Sequence, residues 1–109
     1  MTGFRGDTTS CYRRKKLYER TIEQKFAARV RAMGGIAPKF TAPGFDGMPD
    51  RLVLLPRGRM GFVELKAPGR RPRSLQLVRH RLLRRLGFTV YVIDEINQID
   101  SVLEEIDHE

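Results

Sequence analysis

The 109-residue chain contains one cysteine, Cys11, and no tryptophan. A single thiol excludes a disulfide framework and a cysteine-based zinc site. Two histidines, His80 and His108, are too few for a histidine zinc cluster. No apolar run approaches the roughly 18–20 residues of a membrane span. No apolar stretch follows the basic N-terminus, as it would in a signal peptide. The expected setting is the reducing interior of a cell, with the protein soluble and off the membrane. Acids are scarce where cations are dense. All 21 Lys and Arg lie before residue 94, alongside only Asp7, Glu19, Glu23, Asp46, Asp50 and Glu64. Residues 1–93 therefore carry +15, and the last sixteen residues, with seven acids and no Lys or Arg, carry −7. Sixteen of the cations are Arg, whose planar fork suits phosphate better than the point charge of Lys. The first partner implied is a polyanion, most simply nucleic acid.

The length suits one domain. Residues 1–17 read as a flexible basic arm, with Gly3, Gly6 and the run Arg13-Arg14-Lys15-Lys16. Tyr18, Ile22, Phe26, Val30 and Met33 form one stripe of a helix over 18–33, stopped by Gly34-Gly35. Residues 36–50 are rich in Pro and Gly and read as loop. Two strands, 51–55 and 61–66, flank a turn at Pro56-Arg57-Gly58-Arg59 and predict a hairpin. Ser74 is the expected N-cap of a helix running to Leu86, with Leu75, Val78, Leu82 and Leu86 as its buried stripe and Gly87 as its stop. Residues 88–93 read as a buried strand, with Phe88 and Tyr91 in the core. Asp94 would cap a last helix over 95–106, with Ile96, Ile99, Val102, Leu103 and Ile106 turned inward. The strand-helix-strand unit implies parallel pairing. The fold class is α/β, a small mixed sheet flanked by helices in the order α-β-β-α-β-α.

Asp50 stands where the Pro-rich loop enters the first strand, and Glu64 lies inside the second. The hairpin brings them together. Alternation along a strand puts Phe62, Glu64 and Lys66 on one face and Val63 and Leu65 on the other. A half-buried carboxylate costs several kcal/mol, on the order of 3–5, unless it is paired or metal-bound. Two carboxylates suit a hard divalent cation such as Mg²⁺, and Lys66 beside them suits the orientation or deprotonation of a water and the charge of a phosphoryl transition state. This chemistry is metal-assisted phosphodiester hydrolysis. The alternative for the same residues is a structural ion-pair cluster.

Gly47-Met48-Pro49-Asp50, thirteen intervening residues, then Glu64-Leu65-Lys66 resembles the PD-(D/E)xK nuclease motif. More narrowly, Glu23 in Ile22-Glu23-Gln24, Lys39, Gly47 to Arg51, Gly61 to Gly69 and Ser74-Leu75-Gln76 resemble a minimal stand-alone VRR-NUC domain of the kind found in bacteriophages and bacteria. The resemblance spans about residues 18–106, within a domain over 18–109, and implies a restriction-endonuclease-like core. It implies that Asp50, Glu64, the Leu65 carbonyl and Glu23 serve a Mg²⁺ or Mn²⁺ ion, that Lys66 is the catalytic lysine, and that Gln76 sits near them. Glu19, one turn before Glu23, reads as a solvated acid. The resemblance also implies a homodimer similar to Holliday-junction resolvases, acting on branched DNA in a cell, the host cytoplasm if phage-encoded.

Residues 66–85 hold eight cations and no acid, which argues for contact with backbone phosphate. Lys39, Arg51, Arg70, Arg71, Arg73 and Arg79 are the candidate DNA contacts, and His80 among its arginines reads as solvated or DNA-facing. Tyr12 and Phe45 are candidates for stacking on bases. A different class of function stays open at this point: a non-catalytic branched-DNA-binding module that retains the nuclease fold.

Overall fold

The computed structural model describes the backbone of residues 3–108 and the side chains of residues 17–108. Helix α1 spans Gly3–Ala32, β1 Arg51–Leu55, β2 Arg59–Leu65, α2 Ser74–Arg85, β3 Val90–Ile93 and α3 Ile99–Asp107, with short 3-10 turns at Pro56–Gly58 and Ile96–Gln98. The backbone of α1 thus continues N-terminally past the expected start at 18. The side chains of the expected arm lie outside the described residues up to position 16, and Tyr12 with them.

The three strands form one sheet in the order β1-β2-β3. β1 pairs antiparallel with β2, with Arg51 opposite Val63 and Leu55 opposite Arg59. β2 pairs parallel with β3, with Glu64 opposite Val92. One face carries the main core. Val53, Leu55, Val63, Leu65 and Ile93 pack there against Ile22, Phe26 and Val30 of α1 and Ile99, Val102, Leu103 and Ile106 of α3. Each such fully buried side chain contributes about 1.5–3 kcal/mol by leaving water. On the opposite face, Phe62 and Val90 pack with Leu83 of α2 in a smaller cluster.

Two helices end in the same way. Gly34, at φ 87°, lets the Gly34 N–H reach Arg31 O and the Gly35 N–H reach Val30 O. Gly87, at φ 97°, does the same with Arg84 and Leu83, using the N–H of Phe88. Both are Schellman closures, which favour Gly at the left-handed position. The second explains why β3 starts at Val90 rather than 88, because Phe88 is tied to α2. A Cβ on Gly35 would lie 2.3 Å from the Leu54 carbonyl oxygen. Gly35→Ala is therefore expected to cost at least about 2 kcal/mol, since backbone must move, and urea unfolding measures it.

Other expectations are corrected at the level of faces and caps. α2 buries Gln76, His80 and Leu83. Leu75, Val78 and Leu86 of its expected inner stripe are 43%, 44% and 63% exposed, and Phe88 is exposed as well. The stripe is real as a helical line, but the line beside it meets the sheet. Tyr18, too, is exposed rather than core. Ser74 is the first helical residue rather than the cap; Arg73 is the cap, and its N–H donates to Gln76 Oε1 at 2.8 Å. Asp94 likewise yields its capping role, because Gln98 Oε1 accepts from the N–H of Asp94 and of Glu95.

Candidate active site

Glu64 lies on the central strand and is 2% exposed. The alternation that sends Val63 and Leu65 into the main core sends Glu64 toward α2, one step past Phe62. The α2 register then sets Leu83 over Phe62 and Gln76 over Glu64. Gln76 Nε2 donates to Glu64 Oε2 at 3.0 Å, and Lys66 Nζ lies 3.3 Å from the same oxygen. Gln76 is thus spent at both ends, with its oxygen capping α2 and its nitrogen holding Glu64. Glu64 Oε1 is buried and has no partner among the described residues. A buried carboxylate oxygen without a donor is costly unless something else ligates it.

Asp50 immediately precedes β1. The N–H of Leu65 donates to its Oδ1 at 3.1 Å, which ties the start of β1 to the end of β2. Burial and the Glu64 carboxylate raise the Asp50 pKa from 3.8 to about 7, against the opposing pull of the Leu65 N–H, Arg51 and Lys66. An Asp50 carboxyl that resists ionising beside Glu64 fits a site completed by a cation.

A cleft of about 370 Å³ opens over these groups, lined by Glu19, Asp50, Glu64, Lys66, Arg71 and Arg73, with Arg70 beside them. Glu19 lines the cleft, where Glu23 was expected. Glu23 instead lies 3.5 Å from the Arg51 guanidinium. The reason is position along α1. The end of α1 lies against Leu54 and Leu55, and Glu23 lies level with Arg51. Glu19, one turn farther on, therefore lies level with Asp50. Their shared helical face was visible in the sequence, but the axial offset from the sheet was not. Among the described residues, no group of three or more His, Cys, Asp or Glu gathers to hold a metal ion, so Asp50 and Glu64 are a pair and Glu19 stands on the rim.

The candidate DNA contacts divide. Arg70, Arg71, Arg73 and Lys39 are exposed. Arg51 is turned inward: its side chain is 12% exposed, and it donates to Ala37 O as well as pairing with Glu23. Arg79 donates to Asp46 O at 2.7 Å and stacks on Phe45 at 3.8 Å, so it braces the loop before Asp50. His80 is buried, 1% exposed, rather than solvated. Burial, then Arg84 and Lys66, hold its pKa below the usual value, so the ring stays neutral beneath the site.

No family model matches the chain. It is 47% identical over 88 residues to a protein named "Putative nuclease p44" of Acyrthosiphon pisum secondary endosymbiont phage 1, covering 81% of this chain and 94% of that one. A solved structure described as a VRR_NUC domain superposes with a TM-score of 0.74 at 35% identity, over 80% of this chain and 95% of the other. The chain belongs to the VRR-NUC nuclease family. The three-strand mixed sheet with flanking helices is the fold of that family and consistent with the PD-(D/E)xK superfamily. For this VRR-NUC domain, Gln76→Ala is expected to lower cleavage about 10- to 100-fold, as the loss of a residue that orients a ligand does. It should also cost about 1–2 kcal/mol, through the lost cap and the freed Glu64 oxygen. Cleavage rates and urea unfolding of the same sample check both.

Proposed function

We propose that this VRR-NUC nuclease is a divalent-metal-dependent endodeoxyribonuclease that selects branched DNA by shape and works as a homodimer. The observation that carries the metal dependence is Glu64. Two donors hold one carboxylate oxygen, and the other is buried with no donor among the described residues. Asp50 and Glu64 would hold Mg²⁺ or Mn²⁺, with the Leu65 carbonyl at the same strand end and Glu19 on the rim. Hard cations of this kind take one or two carboxylates and complete their shell with water and phosphate. When bound, the ion lowers the pKa of a water and neutralises phosphate charge.

The chain's own groups do the rest. The Leu65 N–H fixes Asp50, and Gln76 fixes Glu64. Lys66, with a side chain 21% exposed at the cleft, is placed to orient the attacking water and to offset charge on the phosphoryl group. Arg70, Arg71, Arg73 and Lys39 draw in the backbone, which positions DNA without reading sequence. Shape selection follows from that.

Cutting two strands of a four-way junction symmetrically needs two centres related by a two-fold axis. The exposed line Leu75, Val78 and Leu86 on α2 is the surface a second copy would cover; the apolar stripes of α1 and α3 face the core instead. The test is a panel of junction, flap, nicked and linear DNAs with Mg²⁺ and Mn²⁺, run with wild type and Glu64→Gln. Metal-dependent nicking strongest on branched substrates, absent in Glu64→Gln, is the expected result. Junction binding without cleavage under either metal would identify a non-catalytic branched-DNA module. Val78→Asp should convert a dimer to monomers in sedimentation; a wild type that is already monomeric at about 100 μM would remove the dimer.

A further inference from the structure

A second cavity, of about 340 Å³, lies at the far end of the central strand. The hairpin turn lines it with Arg57, Gly58 and Arg59, and the α2–β3 junction with Gly87, Phe88 and Thr89. Among the described residues its lining holds two cations and no acid. Neither guanidinium has a hydrogen-bond or ion-pair partner among the described residues. Arg57 is also the one non-glycine described residue at positive φ, 69°. An L side chain disfavours that conformation, and such strain collects where function holds it. Gly would relieve it, as it does at the next position, Gly58, at φ 74°.

We propose that this cavity is a second phosphate site, in which Arg57 and Arg59 take a backbone phosphate of the DNA away from the bond that is cut. The proposal rests on the reading of DNA as substrate. From Glu64 to Arg59 along β2 is five residues, roughly 17 Å. That matches about five nucleotide steps at 3.4 Å per strand. α2 runs alongside, roughly 18 Å from Ser74 to Arg85. Its exposed Arg81 and Arg85 carry positive charge from the cleft toward the cavity. A phosphate held at each end fixes the angle of a duplex arm across the protein, which a single contact cannot do.

The experiment measures affinity of the full chain, in the Glu64→Gln background, for a junction with labelled arms across a salt series. Arg57→Gly suits the turn conformation and removes the side chain with its guanidinium. Combined with Arg59→Gln, it should weaken binding on the order of tenfold at about 0.15 M salt and make the log–log salt slope shallower by about 0.9, the value for one phosphate. Arg57→Gly should unfold at the same or a higher urea concentration than its parent, so weakened binding is not a damaged fold. Arms trimmed to fewer than about five base pairs beyond the cut should erase the difference. An unchanged slope overturns the second site, as does a difference that survives trimming. Saturable uptake of inorganic phosphate with an unchanged DNA slope identifies a free-anion site and overturns it as well. A parent that binds no DNA overturns both this site and the substrate reading, whereas a parent that binds normally confines any failure to the cavity.

Discussion

Glu64→Gln lowers single-turnover cleavage of a branched DNA by a factor on the order of 10³ or more, with Mg²⁺ or Mn²⁺ supplied. Gln has the shape of Glu, so the packing over Phe62 and Gln76 stays. Gln76 Nε2 and Lys66 Nζ both need an acceptor, and they meet at Oε2. The carbonyl oxygen of the new amide is therefore drawn to that side. Its NH₂ then turns to where the unpartnered Oε1 stands in the native chain, a donor where a cation needs a lone pair. DNA binding persists, because the cleft loses one negative charge and keeps its arginines. Circular dichroism and a binding isotherm on the same sample separate this outcome from unfolding. A residual rate within tenfold of wild type would mean that Glu64 is only a structural partner of Lys66.

The second large effect has opposite signs in the absence and presence of metal. Asp50 titrates near 7 in the fold, against 3.8 for an unperturbed carboxylate. Its folded form therefore holds a proton that the unfolded chain has released, at every pH between those values. Stability falls with rising pH wherever the native state binds more protons. The metal-free protein thus loses stability as pH rises from about 4 to about 7, and the whole penalty is present above 7. Asp50→Asn removes it, and metal-free urea unfolding at pH 8 should show the variant about 1–3 kcal/mol more stable. That range is discounted because the carboxyl keeps some contact with solvent. Mg²⁺ or Mn²⁺ then stabilises the wild type by mass action and not the variant, while the variant does not cleave. For wild type at sub-saturating metal, cleavage climbs about tenfold per pH unit below 7, because Asp50 must give up its proton to bind. A variant less stable than wild type at pH 8 would show that Asp50 is held chiefly by its hydrogen bond from Leu65.

The parts of the fold legible in the sequence are those where periodicity and turn chemistry agree. Ile22, Phe26 and Val30 are both a helical stripe and the core side of α1, and Gly34-Gly35 ends the helix as expected. The hairpin, the parallel β3 and the motif acids follow from the same local rules. What periodicity cannot supply is which of two adjacent helical lines faces the sheet. On α2, Leu75, Val78 and Leu86 look more apolar than Gln76 and His80, yet the latter are buried because the site itself is polar and lies beneath them. The same gap hides that Glu19 lines the cleft while Glu23 meets Arg51. A sequence shows that two acids share a face; only the docking of α1 shows which is level with Asp50. Arg51 and Arg79 share that lesson: guanidinium groups that look free along the chain are consumed by Ala37, Glu23, Asp46 and Phe45.

The antiparallel pairing of β1 with β2 separates two kinds of change along the chain. Asp50 and Glu64 meet at the open end of the hairpin, because Arg51 opposes Val63, and the closed end lies beyond Leu55 and Arg59. Residues inserted into or deleted from the turn leave every rung between those pairs in register. The interval between the two acids is thus an accident of turn length, and relatives with longer or shorter turns can keep the same chemistry. A search that fixes the interval will miss them; one that fixes the rungs will not. The tip of this hairpin can change in length and charge while Asp50 and Glu64 stay side by side at its base.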